Sequence, residues 1–386
     1  MIHAAPTRRP TTVVMVPSCA GGIGHISRTA ALAGALQQLD PTIRVEFVLD
    51  TERLRAFNIE ATARMGFQPR LLTPRTRNSR DAIVQACFGD ADVIVDDVAR
   101  YLLPLRTLVP HAAWISILMH PVGDELFMDW PLMAHMEALI WPYPPLLGMP
   151  DELAPMAEKV VRTGPFLQTG DIPDRAACRA RIGRPVDQER VLYAPRGFPF
   201  GRAFGHRVLA AIYGAVTALR ATTHPHLELD LLAVTDPDEL RGIAGVPDSL
   251  PDWVRVNGVV TPQQALTYTR AANIVVAEGT STMHEAAALR TPLVLVPGPL
   301  QEAMVLARCL GEHRAADAFT LEAVTPETFA TAFRTILAGG PSGTAKTARA
   351  YELVTGGGGV NAAARVVLDL AERHKSIAAD RRIHTG

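Results

Sequence analysis

The same order of elements opens both halves of this chain. Near the N-terminus an apolar run, Thr12–Pro17, leads into a glycine-rich turn and a helix-like segment, Ile26–Leu39. In the second half the run Arg190–Ala194 leads into a loop and the helix-like segment His206–Ala221. Short continuous apolar runs that alternate with helices are typical of strands buried on both faces of a parallel sheet. The repeat therefore predicts an α/β protein of two doubly wound, Rossmann-like domains.

Further strand-like runs continue this alternation. They are Arg44–Leu49, Asp92–Val95, Ala112–Ile117, Val160–Thr163, Leu227–Val234, Val254–Val256, Asn273–Ala277 and Pro292–Val296. The stretch Asp129–Pro155 is rich in Pro and aromatic residues, and we predict an N-terminal domain of residues 1–164 and a C-terminal domain of residues 165–374. Residues 375–386 are expected to fray, and the helix-like segment Val360–His374 could cross back to the first domain. Such domains bind ligands at the carboxyl ends of their strands, so facing domains are expected to form a cleft.

Charge and composition exclude several classes of protein. The 38 Lys and Arg residues balance 39 Asp and Glu residues, which gives no overall electrostatic reason to expect nucleic acid as a partner. The run Val13–Val16 is too short for a signal peptide, and no run approaches the roughly 18 apolar residues of a membrane span. The four cysteines are scattered without metal-ligand spacing, so we expect reduced thiols, a cytoplasmic location and no metal.

The segment Asn273–Pro297 is the most informative part of the sequence. It is predicted to form a strand, a turn at Gly279, a helix and a second strand. The helix begins at three hydroxyl residues, Thr280, Ser281 and Thr282. Unpaired amides and a partial positive charge make the first turn of a helix a phosphate site, and Glu285, one turn further, could accept hydrogen bonds from ribose hydroxyls. The alternative is a helix that Thr280 or Ser281 merely caps.

This segment resembles the donor-binding signature of GT-B glycosyltransferases. In particular it resembles the bacterial N-acetylglucosaminyltransferase that completes the peptidoglycan lipid precursor and the UDP-glycosyltransferase-like antibiotic families. Those families show a Gly-x-x-Thr-x-x-Glu turn and helix, then Gly-x-Pro, a strand that ends in Pro, and a polar pair that contacts the sugar. The first motif corresponds to Gly279, Thr282 and Glu285 here, and the polar pair to Gln301 and Glu302.

The resemblance implies a GT-B fold, with a nucleotide-diphosphate sugar held by the C-terminal domain. Arg196, in the opening loop of that domain, could neutralise phosphate, although exposed loop arginines are more often simply solvated. The chain departs from the family pattern at Arg290, where the family usually has Gly, and this leaves the sugar unidentified. GT-B sites generally neutralise the leaving diphosphate with helix amides and side chains, so no cofactor is expected.

The N-terminal turn contains a second candidate site. Gly21, Gly22 and Gly24 precede His25 between a strand and a helix, where bare backbone can approach a ligand closely. This turn resembles the glycine-rich loop of the same glycosyltransferases, which often ends in Gly-His. The motif from Gly22 to Arg28 also resembles a sugar-nucleotide hydrolase of nonulosonic acid synthesis.

His25 is the candidate general base, because an unperturbed histidine titrates near roughly pH 6.5 and can accept a proton from an acceptor hydroxyl. Asp97 is the best candidate to orient it, with Asp96 in reserve, and Asp97 falls where antibiotic glycosyltransferases keep such an Asp. The alternative is that His25 caps its helix and the two aspartates cap the helix that follows them.

Two stretches, Leu126–Met133 and Leu139–Leu147, concentrate Met, Trp and Pro. They could line an acceptor pocket or contact a membrane surface weakly, although core packing is the commoner explanation. We predict an inverting glycosyltransferase for a small-molecule acceptor, such as a specialised metabolite of antibiotic type. The alternatives are a sugar-nucleotide hydrolase or epimerase on the same fold, and a non-catalytic nucleotide-sugar-binding protein.

Overall fold

The computed structural model describes most of the chain. The described residues are 9–19, 24–52, 54, 56–72, 84–98, 109–119, 133–167, 169–195, 202–232, 237–258, 260–298 and 301–385. Of these, residues 56, 57, 84, 85, 202, 237, 239, 301 and 377–385 are described by their backbone alone.

The chain divides into two compact units. The first contains Met1–Pro142, Met149–Phe166 and Gly357–Gly386, and the second contains Tyr143–Gly148 and Leu167–Gly356. The C-terminal segment therefore crosses back to the unit in which the chain begins.

The first unit is built on a seven-stranded parallel sheet. Its strands are β1 Thr12–Pro17, β2 Arg44–Asp50, β3 Pro69–Leu72, β4 Val93–Asp97, β5 Ala113–Ile117, β6 Ala138–Trp141 and β7 Val160–Arg162. They lie in the order β3-β2-β1-β4-β5-β6-β7, and every pairing is parallel. β1, β4, β5 and β6 are buried at every position, as continuous apolar runs predict for strands covered on both faces.

The second unit is built on a six-stranded parallel sheet. Its strands are β8 Arg190–Tyr193, β9 Glu228–Leu231, β10 Val254–Val256, β11 Ile274–Ala277, β12 Leu293–Leu295 and β13 Asp317–Ala318. They lie in the order β10-β9-β8-β11-β12-β13, again with parallel pairing throughout. Two doubly wound sheets are thus present, as the sequence predicts.

Ten α-helices occur in the described residues. They are α1 Gly24–Leu39, α2 Ala56–Arg64, α3 Arg175–Arg181, α4 Arg202–Thr222, α5 Pro262–Ala271, α6 Thr280–Ala288, α7 Gln301–Glu312, α8 Pro326–Leu337, α9 Pro341–Val354 and α10 Gly359–Thr385. A π-helical turn at Val84–Phe88 and 3₁₀ helices at Asp151–Lys159, Pro237–Leu240 and Leu321–Ala323 complete them.

The long helix α10 completes the core of the first unit. Its buried residues Val360, Ala363, Ala364, Val367, Leu370 and Ala371 join the core around Leu32 and Leu36 of α1. The helix is anchored at its start, where the Gly359 N–H donates to the Thr163 carbonyl over 2.6 Å. Gly357 has φ 82°, and a Cβ there would lie 2.7 Å from the Thr163 carbonyl oxygen. The glycine run before α10 is therefore required for this close approach.

Three strands are absent from the sequence-based prediction: β3, β6 and β13. β3 begins with Pro and Arg, and β13 has only two residues, so neither shows an apolar run. β6 lies within the Pro- and aromatic-rich stretch, and Trp141 at its end is 1% exposed. Core packing, the commoner of the two explanations, accounts for this part of the stretch.

Candidate active site

Each sheet has one point where the strand order reverses direction. In the first sheet this point lies between β1 and β4, and in the second between β8 and β11. Ligands of doubly wound sheets bind beyond the carboxyl ends of the strands at such points. His25 follows β1 and Asp97 ends β4, whereas Gly279 follows β11. The residues predicted from the sequence therefore lie where the topology places a ligand in each unit.

His25 and Asp97 are hydrogen-bonded in the first unit. The Nδ1 atom of His25 lies 3.0 Å from Oδ1 of Asp97. The Asp97 side chain is fully buried, while the His25 side chain keeps 22% of its exposure. The reserve candidate, Asp96, accepts instead from the Ser116 hydroxyl over 3.2 Å. The structure thus pairs His25 with Asp97, the preferred of the two candidate aspartates.

Asp97 is held in its ionised form by its neighbours. Burial alone would raise the pKa of this carboxyl group, but the charge of Arg28, the charge of His25 and their hydrogen bonds outweigh burial. The pKa of Asp97 is consequently lowered below its usual value. An ionised carboxylate beside Nδ1 favours the imidazole tautomer with its proton on Nδ1, which leaves Nε2 available to accept a proton.

Arg28 is a third member of this cluster that the sequence analysis did not select as a site residue. Its Nε donates to Asp97 Oδ2 over 3.0 Å, and its Nη2 donates to Asp97 Oδ1. The same Nη2 lies 3.2 Å from His25 Nδ1. A signal was available, because the Gly-x-Gly-His-x-x-Arg spacing places Arg28 one helical turn after His25.

The backbone around Asp97 is constrained. The Ser18 N–H donates to the Asp97 carbonyl over 2.9 Å, and Val98 follows with φ 59°. A β-branched residue rarely adopts this left-handed conformation, which costs about 1–2 kcal/mol. Strained backbone of this kind clusters at functional sites, and here it lies next to the carboxylate that holds His25.

In the second unit the helix α6 begins without a side-chain cap. Its N-cap residue is Gly279, with φ −114° and ψ 156°, and within the described residues the helix has no side-chain cap hydrogen bond. The capped-helix alternative, with Thr280 or Ser281 as N-cap, is therefore wrong. A Cβ added to Gly279 would meet no described atom within 4 Å. Gly279, Thr280 and Thr282 are partly exposed and Ser281 is exposed in the described part of this unit, and the first-turn amides of a helix have no partner within the helix.

Glu285 lies one turn into α6. Its side chain is partly exposed, and burial raises its pKa from 4.5 to about 7. Burial thus disfavours the ionised form of Glu285, and hydrogen bonds donated by a ligand would stabilise that form. His284, the neighbouring residue, is 6% exposed and belongs to the buried face of the helix.

A buried pair that the sequence analysis missed supports the turn before α6. The Tyr193 hydroxyl, at the end of β8, donates to the carboxylate of Glu278, which is 2% exposed. The Gly298 N–H donates to the Glu278 carbonyl over 3.0 Å. Glu278 therefore ties the carboxyl ends of β8, β11 and β12 together directly beside Gly279.

The other residues that the sequence assigns to the donor-binding segment differ in how far the structure describes and buries them. Gln301 is the first residue of α7 and is described by its backbone alone. Glu302 is 8% exposed and lies in the first turn of α7, where an acidic side chain also suits the helix dipole. Arg290, at the family's glycine position, has φ 52°, a conformation that glycine adopts more easily. Its guanidinium lies 4.3 Å from the centre of the Tyr351 ring.

Several sequence predictions lie outside the described residues. These are Gly21 and Gly22 of the N-terminal turn, Arg196, and residues 126–132 of the first aromatic stretch. Gly24 is described and is the exposed first residue of α1.

The described residues lack a metal-binding cluster, a membrane-spanning helix and a disulfide. No three His, Cys, Asp or Glu side chains among them could hold a metal ion. No helix there is long and apolar enough to cross a bilayer. Cys19, Cys87, Cys178 and Cys309 are all free thiols.

Solved structures of sugar-transferring enzymes share this architecture. The glycosyltransferase of kitacinnamycin matches with a TM-score of 0.64 at 17% identity, covering 94% of this chain and 100% of that one. The glycosyltransferase VinC, solved with dTDP, matches with a TM-score of 0.62 at 15% identity, covering 94% and 100%.

The same architecture also occurs in a protein that is assigned as an epimerase rather than as a glycosyltransferase. A protein from Listeria monocytogenes assigned as a UDP-N-acetylglucosamine 2-epimerase matches with a TM-score of 0.60 at 14% identity, covering 91% of this chain and 94% of that one. No protein-family profile and no curated protein sequence matches the chain. Its three-dimensional similarity to these enzymes shows that the chain has the GT-B fold.

Proposed function

We propose that the protein is an inverting glycosyltransferase that moves a sugar from a nucleotide-diphosphate donor to a hydroxyl or amine of a small-molecule acceptor. The observation that supports this most is the uncapped start of α6 at the reversal point of the second sheet, with Glu285 one turn behind it. A doubly charged diphosphate and a ribose are the ligand groups that such an arrangement of amides and carboxylate suits.

The donor is assigned to the C-terminal domain, predicted from the sequence as residues 165–374, and within it to the second unit, whose main segment is Leu167–Gly356. The amides and hydroxyls of residues 280–282 would hold the diphosphate, with Gly279 leaving room for it. Glu285 would accept from the ribose hydroxyls, and Gln301 with Glu302 would contact the sugar. Arg196 would add positive charge. The dTDP in the structure of VinC supports a nucleoside diphosphate as the class of ligand.

The acceptor is assigned to the N-terminal domain, residues 1–164, with the glycine turn at Gly21, Gly22 and Gly24 beside it. In the reaction, Nε2 of His25 removes the proton of the acceptor hydroxyl. The acceptor oxygen forms a bond to the anomeric carbon of the sugar, while the bond from that carbon to the β-phosphate oxygen breaks. The nucleoside diphosphate leaves, and Asp97 stabilises the imidazolium that forms.

No cofactor is assigned to this reaction. The α6 amides and the neighbouring hydroxyls supply the donors that a leaving diphosphate needs. We therefore expect turnover to continue in the presence of a chelator. We further assign the acceptor to the specialised metabolites, and the enzyme to the cytoplasm.

Hydrolysis or epimerisation of a sugar nucleotide is the second candidate function. The observation in its favour is that Arg28 completes the Gly-x-Gly-His-x-x-Arg motif by contacting both His25 and Asp97. In hydrolysis, water rather than an acceptor hydroxyl would lose its proton to His25, and its oxygen would replace the nucleoside diphosphate at the anomeric carbon.

A panel of nucleotide sugars separates these functions. The protein is incubated with each donor, alone and with a mixture of hydroxylated natural-product aglycones, and released nucleoside diphosphate is measured. Release that requires an acceptor supports transfer. Release in water alone supports the hydrolase, and conversion of the sugar without release supports the epimerase. Binding without turnover under every condition contradicts all three and leaves a non-catalytic binding protein.

A further inference from the structure

The side chain of Glu278, the residue before the N-cap of α6, is bound by a residue of the neighbouring strand. Tyr193 pairs with Val276 in the parallel register of β8 and β11. Because side chains alternate along a strand, Tyr193 and Glu278 point to the same face of the sheet. The Tyr193 hydroxyl donates to the Glu278 carboxylate on this face. Tyr193 is 0% exposed and Glu278 is 2% exposed, so this hydrogen bond is removed from water.

The Tyr193 hydroxyl has one proton, and the geometry directs it to Glu278. The hydroxyl oxygen also lies 3.5 Å from the Gly205 carbonyl oxygen in the first turn of α4. A phenol donates a single hydrogen bond, and the Glu278 carboxylate is the nearer acceptor. Burial, and after it the charge of Glu278, raises the pKa of Tyr193 well above its usual value, so the hydroxyl keeps this proton.

The backbone of Glu278 is bound from the other neighbouring strand. The Gly298 N–H donates to the Glu278 carbonyl over 3.0 Å, and the Val296 N–H donates to the Ala277 carbonyl over 3.0 Å. These two bonds continue the pairing of β11 and β12 to the last residue before Gly279. Glu278 is therefore anchored on both sides, by its side chain to β8 and by its carbonyl to the end of β12.

Gly279 has few contacts of its own that would fix its conformation. It has no side chain, and within the described residues the start of α6 has no side-chain cap hydrogen bond. Glycine has a wider range of backbone conformations than other residues, and a ligand that binds a loose turn bears the free-energy cost of ordering it. The two anchors on Glu278 therefore limit the directions open to the first-turn amides of α6.

We propose that Tyr193 and Glu278 are positioning residues whose hydrogen bond fixes the Gly279 turn in the conformation that binds a diphosphate. Neither side chain contacts the ligand in this proposal. The inference rests on the proposed function for the identity of the ligand, but the effect of the hydrogen bond on the turn can be measured without any ligand.

Amide hydrogen exchange in the ligand-free protein tests the effect on the turn. Tyr193→Phe removes the hydroxyl alone, and Tyr268→Phe is the matched control because Tyr268 donates to Asn257 over 3.1 Å in the same unit. The readout is the exchange rate of the Gly298 amide divided by that of the Val296 amide, because a general loss of stability does not raise this ratio. The ratio should rise by about 10-fold in Tyr193→Phe and stay unchanged in Tyr268→Phe.

Two variants of Glu278 separate the hydrogen bond from the presence of the side chain. Glu278→Gln keeps an oxygen that can accept from the Tyr193 hydroxyl, so it should keep the wild-type exchange ratio. Glu278→Leu has no acceptor and should raise the ratio as Tyr193→Phe does. Equal acceleration of the Gly298 and Val296 amides in Tyr193→Phe indicates a structural role only and overturns the inference. Equal ratios in Glu278→Gln and Glu278→Leu overturn it as well.

Binding measurements test the consequence for the ligand. The ligands are UDP, dTDP, ADP and GDP, and the corresponding nucleosides are the reference because they lack the diphosphate. The affinity of Tyr193→Phe for the nucleoside diphosphate should fall by about 10-fold, while its affinity for the nucleoside stays unchanged. Glu278→Gln and Tyr268→Phe should bind the diphosphate as wild type does.

Failure of this inference and failure of the proposed function give different results. If wild type binds a nucleoside diphosphate and Tyr193→Phe binds it equally well, the inference is overturned and the proposed donor site stands. If the exchange ratio rises in Tyr193→Phe but wild type binds none of the four diphosphates, the proposed donor site is wrong and the inference fails with it.

Discussion

Glu285 is a residue at which burial and proposed binding act against each other. Burial raises its pKa from 4.5 to about 7, so the folded protein favours the neutral carboxyl group. The stability that this protonation contributes is complete below pH 4.5 and is lost as the pH rises through about 7. A ribose that donates two hydrogen bonds would favour the ionised form instead.

Glu285→Gln should therefore stabilise the ligand-free protein at high pH and weaken donor binding. Near about pH 8 the free energy of unfolding should rise by about 1–2 kcal/mol, allowing for partial exposure, with little change near about pH 4. Urea unfolding at both pH values measures this. Exposed Glu312→Gln is the control, and a stability gain of equal size at both pH values would contradict the assigned cause.

His25 is the residue on which the proposed chemistry depends. His25→Asn should lower transfer by about 10²- to 10⁴-fold, because the general base is lost, while the affinity for nucleoside diphosphate stays unchanged. Steady-state rates and calorimetric titration measure the two quantities, with exposed His135→Asn as the control. Unchanged turnover would remove His25 from the mechanism.

At the scale of elements, the connection from α6 to β12 carries a strained residue. Arg290 has φ 52° and stacks on Tyr351. Arg290→Ala loses the stacking and keeps the strain, whereas Arg290→Gly loses the stacking and relieves the strain. Arg290→Gly should therefore be more stable than Arg290→Ala by about 1 kcal/mol.

Thermal unfolding of the two Arg290 variants measures this difference. Lower stability of the glycine variant would show that the left-handed conformation at this position costs nothing. The result bears on the fold of the donor segment and is independent of its ligand.

Apolar runs in the sequence predict elements well and side-chain partners poorly. β1 has the predicted bounds because it is a short apolar run bordered by polar residues. β10 also has the predicted bounds, although Arg255 lies at its centre. The Arg28–Asp97 and Tyr193–Glu278 contacts join residues 69 and 85 positions apart. Such pairs depend on which strands become neighbours, and no local pattern specifies them.

At the scale of the whole molecule, α10 determines whether the first unit is complete. Truncation after Gly356 removes six buried apolar residues from its core, of which the two valines and the leucine are each worth about 1.5–3 kcal/mol and the alanines less than about 1 kcal/mol. The truncated chain should lose cooperative unfolding of this unit, whereas truncation after Ser376 should be tolerated. Far-UV circular dichroism during urea unfolding measures both. A fully folded Gly356 truncation would contradict the assigned role of α10.

The central claim is that the start of α6 binds the diphosphate of a nucleotide sugar. The most direct measurement follows backbone amide resonances while UDP or dTDP is added to wild type and to Gly279→Val. The valine fits the backbone, because φ −114° is open to any residue and no described atom lies within 4 Å of its Cβ. The account predicts the largest shifts at Thr280, Ser281 and Thr282, and a loss of affinity of about 10-fold or more in the folded valine variant. Shifts confined to other residues, or equal affinity in Gly279→Val, would contradict it.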